Sequence, residues 1–145
     1  MSQDNKGNPL QKLVQVLKRP SRPHYAVTEA SEWLAIMDKF GVRLPTDFQD
    51  FIGIYGTGTV GDFVLIFNPF SPDKYSNLFF NMEFILSSAY QATEFPLPLY
   101  PQSGGLLPFA KTDDGDYLWW KTEGEADNWT IVVTEVRSDN YEVYP

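Results

Sequence analysis

The 145-residue chain contains no cysteine, which removes disulfide staples, thiolate nucleophiles and zinc–cysteine sites at once. It contains a single histidine, His24, between Pro23 and Tyr25. A metal site would have to be assembled from carboxylates and that one imidazole, and a nucleophile–histidine pair would need a serine or threonine that no motif identifies. His24 therefore reads as a surface or packing residue. No uninterrupted apolar run approaches a membrane span, and the polar N-terminus MSQDNKGNPL lacks the basic region and apolar run of a secretory signal. The expectation is a soluble, cytoplasmic protein without a membrane partner.

Basic residues are scarce over most of the chain. Residues 1–43 carry a net charge of +3, whereas residues 44–145 carry −11, for a total of −8. Such a surface repels a phosphate backbone, whose binding depends on Lys and Arg, so nucleic acid is not expected as a direct ligand. A basic protein is the natural partner.

What is present is aromatic and apolar: 43% hydrophobic and 16% aromatic residues, far from the composition of disordered chains. The length suits one domain over residues 1–145 with its own core, residues 1–7 being expected to be flexible. There is no internal repeat and no low-complexity tract.

The pattern runs from helices to strands. NPLQKLVQVLKR starts with Asn8 as N-cap and Pro9 at the first helical position, followed by the stripe Leu10, Leu13, Val14 and Leu17. The prolines of KRPSRP end it. A second helix is predicted from Thr28, with Glu29 and Glu32 in its first turn, the recurring apolar residues Ala30, Trp33, Leu34, Met37 and Phe40, and Gly41 as C-terminal cap. A third begins near Pro45 and groups Phe48, Phe51, Ile52 and Tyr55 before Gly56. GTGTVG lacks the Lys-Ser/Thr of a phosphate loop and reads as a turn. One strand is predicted at about 62–67, and a mostly helical, largely buried segment from Pro72 to Phe95. FPLPLYPQSGG is a loop or extended connection. Strands at about 106–111, 116–121, 129–136 and 140–144 then form an antiparallel meander, with turns at TDDGD, TEGEADN and RSDN. Helices ahead of an antiparallel C-terminal sheet give the α+β class.

The stretch KTDDGDYLWWKTEGEADNWTIVV sets Asp113, Asp114, Asp116, Glu123, Glu125 and Asp127 around Trp119, Trp120 and Trp129. Strand alternation puts Leu118 and Trp120 on one face and Tyr117, Trp119 and Lys121 on the other. Trp120 belongs to the core. Trp119 is either a partly covered residue on the second face or, with Tyr117, an exposed interaction platform. The carboxylates fall in turns where solvation opposes the raised pKa that acid catalysis needs, and their spacing matches no EF-hand. No catalytic, cofactor or metal residues are assigned.

The order Leu-Pro plus an aromatic helix ending in Gly, an apolar strand, Leu-Pro-Phe, Asp-Gly-Asp, a Trp-bearing strand, an acidic loop and a second Trp-led strand spans most of residues 44–136. It resembles the SUKH superfamily, which includes the Smi/Knr regulator of cell-wall synthesis and many bacterial immunity proteins. After Tyr55, where members often carry paired glycines or Asn-Gly, this chain has GTGTVGDF. The resemblance implies an antiparallel sheet with flanking helices, no enzymatic activity and no cofactor. It also implies stoichiometric neutralisation of a toxin domain, with regulation or scaffolding of the Smi/Knr type as the alternative. The contact residues expected for a basic toxin are Asp113, Asp114, Asp116, Trp119, Glu123, Glu125 and Asp127. The oligomeric state stays open between monomer and weak dimer.

Overall fold

The computed structural model describes residues 9–91, 95–135 and 141–144, with the side chains of 9–11, 90 and 91 excepted. The N-cap expected at Asn8, the flexibility expected of residues 1–7, the expected end of the third tail strand at 136 and the expected RSDN turn lie outside the described residues.

Three helices come first: α1 (Pro9–Val16), α2 (Ala30–Phe40) and α3 (Thr46–Tyr55). Helix α2 starts two residues later than predicted, because Glu29 occupies the N-cap and its carbonyl accepts the Glu32 and Trp33 amides. Gly41 closes it in the left-handed conformation that residue type suits. Only part of the predicted stripe faces inward. Trp33 and Met37 are buried, while Leu34, about 100° round the helix from Trp33, is half exposed, as is Phe40, which shares the Trp33 side but is the last residue of the helix. In α3, Phe48, Ile52 and Tyr55 are buried and Phe51 is partly so.

The sheet has six strands, β1 (Gly58–Val60), β2 (Val64–Ile66), β3 (Leu106–Thr112), β4 (Tyr117–Lys121), β5 (Thr130–Thr134) and β6 (Tyr141–Tyr144), hydrogen-bonded antiparallel in sequence order. The four strands of the tail stand as predicted, within a residue or two. The strand predicted at 62–67 is present as β2, but GTGTVG is not simply a turn: its residues 58–60 form the further strand β1, which makes a hairpin with β2. Thr59 and Val60 pair with Leu65 and Val64 across a tight turn in which Gly61 and Asp62 both have positive φ. β-Branched residues between the glycines are enough to form the extra strand once β2 offers a partner.

Helix α4 (Leu78–Gln91) bridges β2 and β3 and packs against β3. It begins later than the predicted Pro72. Residues 68–77 are held in turns by a buried polar network: Asn68 is fully buried, Asn81 donates to the Lys74, Tyr75 and Asn77 carbonyls, and Ser71 bonds Ser76 at 2.6 Å. Such local side-chain bonds compete with helix formation. Asn77 then caps α4, its Oδ1 accepting the Phe80 amide at 3.0 Å.

The core lies between sheet and helices. Trp120 stacks on Phe109 (4.5 Å between centroids) and meets the Phe48 ring of α3 edge-on at 5.0 Å. Trp33 of α2 reaches Phe48 and Phe70. Each fully buried side chain of this size contributes about 1.5–3 kcal/mol of burial free energy.

Candidate partner-binding surface

The acidic stretch is folded around strand β4, and the strand separates its carboxylates into two groups. Asp113, Asp114 and Asp116 occupy the β3–β4 hairpin. Gly115, at φ +90°, donates its N–H to the Thr112 carbonyl, and the Thr112 N–H donates to Asp116 O at 2.9 Å. This is the three-residue loop that a glycine in the left-handed region permits. Asp113 and Asp114 are exposed and Asp116 is partly buried, its amide donating to Thr112 Oγ1. The Asp113 amide also donates to Phe63 O, which brings the β1–β2 turn and the exposed Asp62 alongside. Glu135, one residue past β5, lies at this same end of the sheet.

Glu123, Glu125 and Asp127 lie in the β4–β5 loop at the other end. Five residues of strand separate the groups by roughly 13–17 Å. The six carboxylates are therefore not one surface but two acidic ends. Glu123 and Glu125 are exposed, and Glu123 stands 3.5 Å from Lys121.

Asp127 has an architectural task. Pro45, the N-cap of α3, offers no side-chain cap, and Asp127 supplies one from the 3-10 turn Ala126–Asn128: its Oδ1 accepts the Thr46 amide at 2.7 Å and its Oδ2 accepts the Thr46 hydroxyl at 3.0 Å. These bonds, the amide first, hold the carboxyl below the ordinary carboxylate range. Asp127→Ala is expected to cost about 1 kcal/mol, as lost helix caps do, with any electrostatic share reduced by solvent screening. A carboxyl with a depressed folded-state pKa stabilises fully above its unfolded value, about 3.9, and loses that contribution as pH falls through the lower folded value. Urea unfolding of both proteins at neutral pH and at decreasing acid pH checks this: the gap should narrow as the carboxyl protonates.

Trp119 does not form an exposed platform. It is 1% exposed, its Nε1–H donates to Thr134 Oγ1 at 2.9 Å, and Phe95 and Tyr117 pack edge-on against its ring. Trp119 and Trp120 do point to opposite faces, but each face is covered. Trp129, partly buried, leans on Trp120 and donates to Gly124 O.

The exposed aromatics lie elsewhere. On α4, expected to be largely buried, Phe80 and Phe84 are 42% and 60% exposed and stack one turn apart at 6.4 Å. Tyr75 is exposed beside them, with Lys74 Nζ over both the Tyr75 and Phe80 rings. Phe40 of α2 stacks on Phe79 at 3.8 Å. A helical wheel carries a signal for this patch, because Glu83, Ser87 and Ser88 mark the solvent face and Phe80 and Phe84 fall within it.

Among the described residues no three His, Asp or Glu side chains are placed to hold a metal ion, and no helix is long and apolar enough to cross a membrane. Exposed acidic turns and a solvent-facing aromatic helix can contact a macromolecule.

Neither a curated protein nor a solved structure was found to match the chain. The family described as SMI1-KNR4 cell-wall matches residues 31–145, a span that takes in α2, α3, α4 and the whole sheet. The α+β architecture with its antiparallel C-terminal strands is that of the SUKH fold. By this match over most of its length, the chain belongs to the SMI1-KNR4 family of the SUKH superfamily.

Proposed function

We propose that the chain is an immunity protein that neutralises a basic toxin domain, of nuclease type, by stoichiometric binding. The observation that carries this reading is the charge distribution. Residues 44–145 bear −11, with exposed carboxylates on the turns at both ends of the sheet. Attraction of that kind speeds encounter with a cationic protein and repels nucleic acid, which would let the inhibitor compete for a nuclease's own substrate surface. Membership of a superfamily that includes immunity proteins supports it. The aromatic stack of Phe80 and Phe84 takes the anchoring part first considered for Trp119, since interface hot spots are enriched in aromatics that bury on binding. Activity comes from occupancy, not turnover.

A second reading is favoured by the matched description, which names the cell wall: a regulatory or scaffolding module that binds an endogenous protein. Affinity capture on the tagged chain from its own cells, washed at low and high salt, separates the two. Recovery at low salt of a basic polypeptide that is toxic when expressed alone supports immunity. Recovery of only cell-envelope or housekeeping proteins moves the assignment to the regulatory module.

A further inference from the structure

A cleft of about 220 Å³ opens between residues 17–24 and the segment that runs from the end of α3 into β1. Its rim carries Lys18, Arg22 and His24, and its walls include Phe51 and Tyr55. In a chain of net charge −8 this is a local reversal of sign. Among the described residues neither Lys18 nor Arg22 enters an ion pair; the two pairs present are Arg43–Asp38 and Lys121–Glu123.

The cleft is a built feature. Tyr55 Oη donates to Leu17 O at 2.7 Å, the Thr57 amide to His24 O at 2.7 Å, and the buried Asn68 Nδ2 to both Tyr25 O and Thr57 Oγ1 at 3.0 Å. Gly56 lets the two segments meet: at φ +65° a Cβ there would stand 2.2 Å from His24 O. Tyr25 is held at φ +57°, a conformation that bulky L-residues rarely adopt and that persists only where surrounding bonds impose it. These four bonds fix the backbone at Leu17, His24 and Tyr25 against the end of α3 and the start of β1, and the exposed Lys18 and Arg22 lie on the stretch between those anchors. The Lys18 and Arg22 cations beside an aromatic floor suit an anionic group on a carbon stem.

The floor also includes β1, the outermost strand, whose side away from β2 carries no further strand among the described residues. An extended peptide can lie along such an edge and present alternate side chains to one face. We propose that this cleft binds an extended polypeptide segment through one carboxylate side chain, held by Lys18 and Arg22 beside His24 while its backbone follows β1. The proposal is independent of the role assigned to the acidic ends.

The test is an NMR titration of the isotope-labelled full chain with acetyl-Thr-Val-Glu-Val-Thr-amide, its Gln counterpart and its phosphoserine counterpart. The expected result is saturable shifts confined to the amides of residues 24 and 56–60, with the Gln peptide at least about tenfold weaker, as loss of a charge-assisted contact implies. Lys18→Gln with Arg22→Gln, both at exposed positions, should abolish the shifts while leaving the rest of the spectrum in place. Tighter binding of the phosphoserine peptide than of the Glu peptide would overturn the assignment of a carboxylate. Equal binding of the Glu and Gln peptides, shifts that survive the double substitution, or inorganic phosphate binding as tightly as the phosphoserine peptide would each overturn the proposal.

Discussion

Trp119→Ala should destabilise the protein by about 3–5 kcal/mol, the range for deleting a large buried aromatic. That is a substantial part of the roughly 5–15 kcal/mol that holds a typical domain together. The substitution empties space under Phe95 and Tyr117 and strands the Thr134 hydroxyl, which otherwise accepts from the indole N–H. Trp119→Phe fills most of that space and isolates the hydrogen bond, for a smaller loss of about 1–3 kcal/mol. Urea unfolding followed by far-ultraviolet circular dichroism reads both. A surface anchor would behave in the opposite way, leaving the unfolding midpoint in place and weakening only partner binding.

The second large effect concerns the complex, and it divides by rate constant. Asp113→Lys with Asp114→Lys reverses charge on an exposed turn without touching the core, so it should lower the association rate roughly tenfold at low salt and flatten its salt dependence. Glu123→Lys with Glu125→Lys is the parallel experiment at the other end of the sheet, and the end that faces the partner should respond more strongly. Phe84→Ala should leave association nearly unchanged and raise the dissociation rate, by about thirtyfold if the residue is a hot spot worth about 2 kcal/mol. Stopped-flow mixing with the captured partner measures both. Association rates indifferent to both charge reversals would remove the acidic ends from the binding surface.

Much of the architecture is legible in the sequence because local chemistry and tertiary packing agree there. Gly41 follows an amphipathic run and caps α2; Asp114-Gly115 sits between two β-rich runs and forms a hairpin. The misses come where long-range contacts decide. β1 exists because β2 pairs with it, and three glycines in six residues conceal Thr59 and Val60. The delayed start of α4 depends on Asn68 and Ser76 meeting across a turn.

The candidate site was less legible than the fold. Alternation along β4 places Trp119 and Trp120 on opposite faces, but it does not reveal that Phe95, from the connection after α4, covers Trp119. The turn carboxylates were identifiable as solvated residues, yet their division between two ends of the sheet follows from strand length, and the capping of Thr46 by Asp127 joins residues eighty-one positions apart. No local pattern encodes that contact.

The measurement that tests binding as the mode of action most directly is a titration of the captured partner's toxic activity with this protein at concentrations well above the dissociation constant. Neutralisation by occupancy expects activity to fall linearly and reach its floor at one equivalent, with no further change over time. Complete loss of activity at a small fraction of an equivalent, progressing with incubation, would mean that the chain acts by turnover and would contradict the central claim.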